Sequence, residues 1–317
     1  MEKRAFDSAR KCAALLPLTL LAGCNMVVLS PSGDVAMRQR DLLVHSTLLM
    51  LVIIIPVMTL TVWFAWHFRA SNKVARYEPE WHHSTRLELV IWAAPLLIII
   101  CLGALTWLGT HLLDPYRPLD RLAVNRPTSP NATPLRVDVV AMDWKWLFIY
   151  PDSNIATVNE LVVPIDTPVD LHITASSVMN SLYVPELAGQ VYAMPGMETR
   201  LHGVLNKVGE SRGFSANYSG AGFSGMHFAF RGVTRTDFDG WVASFRGSAS
   251  SGDAASPGNS AAQLTRAAYA ALAQPSENEP VRHFTTPDPT LFHAIVNRCV
   301  AQGEMCMDHM QMMAHER

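Results

Sequence analysis

The stretch "LLVHSTLLMLVIIIPVMTLTVWFAWHF", residues 42–68, runs from end to end without an Asp, Glu, Lys or Arg. Roughly 20 apolar residues cross a bilayer as an α-helix. Core helices of soluble proteins seldom run so far without a charge, so residues 42–68 are predicted to span a membrane. A second stretch, "LVIWAAPLLIIICLGALTWLGTHLL", residues 89–113, is equally free of formal charge. Pro56 and Pro95 fall inside these helices, where neighbouring helices and local adjustment can re-satisfy the backbone. Trp63, Trp66, Trp92 and Trp107 lie towards the ends of the blocks, at the depth where amphipathic rings favour the interface. The loop between them, residues 69–88, carries Arg69, Lys73, Arg76 and Arg86. An excess of Lys and Arg marks a cytoplasmic loop. Everything after Asp114 is therefore expected on the periplasmic side of a bacterial inner membrane.

The chain has 317 residues, of which 49% are hydrophobic and only 16% charged, with a formal net charge of −2. About a quarter charged is usual for a soluble protein, and a near-neutral balance argues against nucleic acid as a partner. At the N-terminus, Lys3, Arg4, Arg10 and Lys11 precede the apolar run "AALLPLTLLAG", the pattern of a signal peptide over residues 1–23. It ends in "LAGC", residues 21–24, similar to a lipobox. Cys24 is the expected lipidation site, with its thiol taking the diacylglyceryl chain, and residues 24–41 form a short external segment. Of the other cysteines, Cys12 leaves with the signal and Cys101 lies in the second span. Cys299 and Cys306 are close enough in an oxidising compartment for a disulfide to be considered.

Five prolines between Asp114 and Pro134 read as an extended linker. From residue 135 the pattern becomes short runs rich in Val, Leu, Ile and aromatics, such as "RVDVVAMDWKWLFIY", "ELVVP" and "VDLHITAS", bounded by turn residues. Residues 135–246 are predicted to form an all-β sandwich or barrel uninterrupted by a helix of useful length. Residues 247–260, Gly/Ser/Ala-rich, read as a flexible linker. Residues 261–317 read as a helical tail, with Asp288 placed to cap one helix, ending in a Met/His-rich stretch. Thioether and imidazole suit Cu(I), so that stretch could scavenge copper. A dispensable tail is the plainer reading.

A signal with lipobox, a two-helix hairpin and an external β-domain make up the layout of subunit II of haem–copper terminal oxidases. Three motifs sharpen the resemblance. "DWKWLFIYP" (residues 143–151) resembles the aromatic strand of that family's cupredoxin domain. "VMNSLYVPELAGQVYAMPGMETRLH" (178–202) and "YSGAGFSGMHF" (218–228) resemble the quinol oxidase branch, the bo-type ubiquinol oxidases. The C-terminal "AAYAALAQPSENEP" resembles that branch too. In the cytochrome c branch, a histidine and a C-x-E-x-C-x3-H-x2-M loop hold a binuclear copper centre bridged by thiolates. Here the histidine position falls on Asn180, and an ungapped overlay places Tyr218, Gly220, Gly222 and Met226 at the loop positions. These are degenerate copper-site positions, since no cysteine occurs between Cys101 and Cys299. Met226 and His227 could each offer a ligand to a single ion, but neighbours on a strand point to opposite faces, so loop packing is the plainer reading. Trp144 and Trp146 lie on the strand that carries an electron-accepting tryptophan in the cytochrome c branch, and here they read as core and interface aromatics.

The resemblance implies a subunit with no catalytic residue and no metal or cofactor of its own. Haems and copper would belong to a large catalytic subunit I, the main partner along with the other oxidase subunits and the lipid bilayer, and ubiquinol would be the substrate of the complex. It also makes Glu88, at the cytoplasmic start of the second span, a candidate in proton uptake. The alternative for Glu88 is an interfacial carboxylate paired with Arg86 or the helix N-terminus. Two other classes stay open: an electron-transfer subunit of the cytochrome c oxidase type, and a stand-alone membrane lipoprotein with a cupredoxin-like domain.

Overall fold

The structure, a computed structural model, describes residues 26–76, 78–129, 133–250, 262–301 and 303–310. Cys24, the signal segment and most of the expected 247–260 linker lie outside the described residues.

Two helices, α1 (Asp34–His67) and α2 (Thr85–Leu112), contain the charge-free stretches and pack against each other. Both are long and apolar enough to cross a membrane, and their central windows are almost wholly uncovered by the rest of the chain. Hydroxyls within them are satisfied locally: Thr59 and Thr61 donate to the carbonyls of Ile55 and Val57, and Thr106 and Thr110 to those of Leu102 and Thr106, each at 2.8 Å. In hydrocarbon no water could accept those protons. At about 1.5 Å per residue, the 34 residues of α1 reach well beyond a hydrocarbon layer of about 30 Å. The helix starts eight residues before the charge-free stretch, within the segment expected to precede it, and its first turns pack against the β-domain through Val35 and Ala36.

Residues 114–134 are not simply extended. Strands β1 (Arg121–Ala123) and β2 (Arg126–Pro127) form a small antiparallel ribbon, with Asn125 in the left-handed region at φ 61° to turn the chain. The β-domain proper comprises β3 (Leu135–Met142), β4 (Lys145–Tyr150), β5 (Ile155–Val158), β6 (Glu160–Pro164) and β7 (Val169–Ala175). It continues with β8 (Asn180–Tyr183), β9 (Val191–Ala193), β10 (Thr199–Gly203), β11 (Gly209–Ser215) and β12 (His227–Val233). One sheet has the order β6-β12-β11-β8-β9. The other runs β10-β7-β3-β4-β5 and is then extended by β14 (Arg282–Thr285) and β13 (Ala262–Gln263) from the C-terminal segment. The core between the sheets is built on Trp146, Phe148, Tyr150, Leu161, Phe228 and Phe230. Tyr150 lies at its centre, its hydroxyl donating to Val162 O at 3.0 Å and accepting from Val162 N at 2.9 Å.

Two expectations about the outer part need correction. A helix, α3 (Arg235–Ser250), follows β12 where no helix and then a linker were expected. Phe238, Trp241 and Phe245 stand three and four residues apart on one face and pack into the main core. Thr234 Oγ1 accepts from Asp237 N at 3.2 Å at its start. The C-terminal segment is also more than a helical tail. Besides α4 (Arg266–Leu272) and α5 (Leu291–Val296), it supplies β14, which pairs antiparallel with β5. Leu264, Tyr269, Phe284, Leu291 and Phe292 form a second core with Val140, Leu147 and Ile149 on the outer face of the large sheet. Asp288 accepts from Thr290 N at 2.8 Å just before α5, and Cys299 and Cys306 form a disulfide.

Candidate functional site

The loop of residues 216–226 joins β11 to β12 and closes over the turn between β3 and β4. That turn holds Trp144 at φ 67°, unusual for a bulky side chain. Its indole N–H donates to Ser219 O at 3.0 Å, and its ring lies flat against the loop. A Cβ on Gly222 would fall 2.5–2.7 Å from Trp144 Cδ2, Cγ and Cε3, and one on Gly220 would sit 3.3 Å from Cζ2. Gly220 also needs φ 109°, which L side chains rarely adopt. Gly220 and Gly222 therefore make room for an aromatic ring.

The other positions divide. Asn180 is buried on β8, its Oδ1 accepting from Ser215 Oγ at 3.0 Å and its Nδ2 donating to Val178 O at 3.2 Å. Met226 is buried in the main core and accepts weakly from Ser219 Oγ at 3.9 Å. Tyr218 points away, 75% exposed, with Phe223 edge-on at 5.6 Å. His227 begins β12 opposite Phe214. The structure thus gathers Gly220, Gly222 and Met226 around Trp144 and Ser219, ties Asn180 to Ser215, and leaves Tyr218 outside.

This donor set does not fit a thiolate-bridged metal. An amide already committed to two hydrogen bonds and a core thioether are poor substitutes for anionic thiolates and neutral imidazole. Among the described residues no group of three His, Cys, Asp or Glu side chains converges as a metal site. The described cysteines are Cys101, within α2, and the disulfide pair.

Glu88 lies in the first turn of α2, at the end of the hairpin away from the β-domain. Its partner is His83, Nδ1 to Oε1 at 2.7 Å, rather than Arg86, and its side chain is 51% exposed.

Two clusters escaped the sequence reading. At the junction of hairpin and domain, Asp34 is 1% exposed, and its Oδ2 accepts from Arg38 Nε at 2.8 Å and Arg121 Nε at 3.0 Å. Arg38 also reaches Asp120 at 2.9 Å. Gly33 precedes Asp34 in a slot where a Cβ would meet three carbonyl oxygens of residues 186, 187 and 204 at 2.7–2.8 Å. Its N–H donates to Glu186 O at 2.8 Å, and Ser32 O accepts from Asn206 N at 3.1 Å. The chain is thus threaded into the domain before it becomes a membrane helix.

On the large sheet, His172 of β7 lies between two carboxylates, Nδ1 to Glu198 at 2.7 Å and Nε2 to Asp170 at 3.1 Å. The Asp170 hydrogen bond raises its pKa, burial opposes, and Glu198 adds to the rise. Burial pushes the neighbouring His202 down. The pairing of β7 with β10 sets His202 beside Asp170, the first cluster joins α1 to β1 and the residue before it, and no local sequence signal marks either.

Comparison with known proteins gives consistent findings. Residues 152–233 match the family described as cytochrome c oxidase subunit II, periplasmic domain, and residues 259–303 match the COX aromatic-rich motif. The chain is 46% identical over 298 residues to a cytochrome bo(3) ubiquinol oxidase subunit 2 of Pseudomonas putida, covering 94% of this chain and 88% of that one. It is 43% identical over 296 residues to the ubiquinol oxidase subunit 2 of Acetobacter aceti, covering 93% and 90%. With the quinol oxidase subunit 2 of Bacillus anthracis it shares 38% over 238 residues, 73% of this chain and 79% of the other.

Proposed function

The chain belongs to the family of ubiquinol oxidase subunit 2, and on that premise we propose that it serves a proton-pumping quinol oxidase without carrying electrons itself. The complex would oxidise ubiquinol and reduce dioxygen to water, with haems, copper and the quinol site in a large catalytic subunit. This subunit would seat its hairpin against that partner and hold the β-domain over the partner's outer face. The observation that supports the reading is the Trp144–Gly222 contact: at the two positions the resemblance gives to thiolates stand Gly222, packed on an indole, and the exposed Tyr218. A relay of that kind accepts single electrons from a soluble donor. A membrane-dissolved quinol can reach a haem directly and has no need of it.

The proposal extends to topology. The basic loop lies in the cytoplasm, both helices span the inner membrane, and the β-domain is periplasmic, with Cys24 as an external lipid anchor. Glu88, half-exposed at the cytoplasmic mouth of the hairpin, would take part in proton uptake.

Purification in mild detergent tests the assembly: a haem-bearing polytopic subunit should travel with this chain, and recovery of the chain alone would sink the proposal. Copper titration of the purified complex should add no near-infrared band assignable to this subunit. Glu88→Gln should slow turnover of the assembled complex, and unchanged turnover and pumping would remove Glu88 from the pathway.

A further inference from the structure

Where the hairpin meets the β-domain, α1 and α2 border a groove of about 440 Å³. Its wall changes character along the helix axes. Leu42, Leu105 and Leu108, with His45 among them, line one end, while Arg38, Asp41, Asp120 and Arg121 line the other. Arg38 and Asp41 lie just before the charge-free stretch that starts at Leu42. The change therefore falls at the depth where hydrocarbon gives way to headgroups. A water-soluble ligand would gain nothing from the leucine end, and an uncharged isoprenoid nothing from four ionised side chains.

The charges also specify the headgroup. Arg38 pairs with Asp34 and Asp120, Arg121 with Asp34, and Arg40 with Asp41, so three guanidiniums face three carboxylates and the sum is zero. Capacity remains on both signs. Among the described hydrogen bonds Arg121 commits only its Nε–H, leaving its terminal amino groups for another acceptor. Arg40 occupies only Oδ1 of Asp41, and that side chain is 53% exposed.

We propose that this groove holds one zwitterionic phospholipid with a primary ammonium group, phosphatidylethanolamine, in the outer leaflet. Its phosphate would sit at Arg121, its ammonium at Asp41 and Asp120, and its acyl chains along Leu42, Leu105 and Leu108. An anionic lipid would add a net negative charge to a cluster whose own charges already cancel, whereas a zwitterion keeps the sum at zero. The diacylglyceryl group expected on Cys24 carries neither phosphate nor ammonium. The assignment to the outer leaflet rests on the topology proposed above.

The test uses the assembled complex reconstituted with phosphatidylethanolamine, phosphatidylglycerol and phosphatidylcholine in equal amounts, then washed in mild detergent and analysed by native mass spectrometry. The wild-type complex should retain phosphatidylethanolamine at least several-fold over the other two. Leu105→Trp, which fills the apolar end and leaves every charge, should reduce that retention about tenfold. Asp41→Asn leaves Arg40 unpaired and should shift retention towards phosphatidylglycerol. No preference in the wild type, equal retention by the Leu105→Trp complex, or an unchanged preference after Asp41→Asn would each overturn the proposal. Protease access to the β-domain from the periplasmic side and co-purification of the haem-bearing subunit report on the topology and the assembly separately from the lipid.

Discussion

Gly222→Ala is the sharpest probe of how the loop of residues 216–226 is built. The added methyl would lie 2.5–2.7 Å from three ring atoms of Trp144, two of them at the root of the side chain, so no flexible tip can swing aside. Either the indole moves, losing its hydrogen bond to Ser219 O, or the loop lifts. Overpacking of this kind costs about 1–3 kcal/mol, and a lost hydrogen bond adds about 1 kcal/mol. Gly222 is not among the positive-φ residues. Alanine there carries no backbone penalty, and the stiffer unfolded chain returns about 0.4–1 kcal/mol. The net is a destabilisation of about 1–3.6 kcal/mol. For a unit of this size each kcal/mol lowers the melting temperature by about 2–4 °C, so the β-domain transition should fall by about 2–14 °C. Differential scanning fluorimetry of the intact chain in detergent measures it. The decisive control is the same substitution in a Trp144→Ala background, where the clash is gone and the effect should shrink below about 0.5 kcal/mol. Gly222→Ala at wild-type stability, or an undiminished effect without Trp144, would refute the packing argument.

Asp34→Ala removes the carboxylate that binds two partly exposed guanidiniums and should loosen the hairpin–domain junction by about 1–3 kcal/mol, seen as faster proteolysis between α1 and β3. His172 gives a pH dependence. Its folded pKa is raised above the ordinary value by Asp170, with burial opposing and Glu198 assisting. Its contribution is therefore fully present below about pH 6.5 and is lost as pH rises through the folded pKa. The melting temperature should accordingly decline from mildly acidic to alkaline pH more steeply in wild type than in His172→Gln, and parallel slopes would exclude the ion pairs as its source. Lys145, buried on β4, donates to Gln274 O at 2.7 Å and to Ser276 Oγ. Lys145→Met should strip these anchors and free the C-terminal segment, read as earlier hydrogen exchange across β14.

The hairpin was legible because membrane insertion is a composition rule that each helix satisfies alone. The first turns of α1 were not, since "DVAMRQRD" is polar and is helical only because Asp34 and Val35 find partners in the β-domain. Strands β3 and β4 showed themselves as apolar runs, and their unbroken character, rather than alternation, is the mark of burial on both faces. The second face implied something to cover it. Strand β14 supplies part of that cover, but its four residues carry no alternation and pair with β5 across more than a hundred positions. The glycines of residues 216–226 could be read as a retained scaffold. What they accommodate could not, because Trp144 and Ser219 are 75 positions apart.

Those distant pairings also explain how the loop of residues 216–226 keeps its shape. A copper centre would bind its loop through the metal, and removing the metal would leave a flexible segment over an open pocket. Here the glycines let the chain lie on the ring of Trp144, and Ser215, at the end of β11, donates to Asn180. The same economy appears at the other end of the domain, where Gly33 threads between backbone carbonyls and Asp34 ties two arginines. Both devices restrict motion, and neither presents a reactive group. A domain fixed to its membrane helices at one end and closed over an aromatic ring at the other is suited to holding a surface in place. On the proposed reading that surface is the outer face of the catalytic partner, and rigidity at the Asp34 junction would set how accurately the β-domain sits upon it.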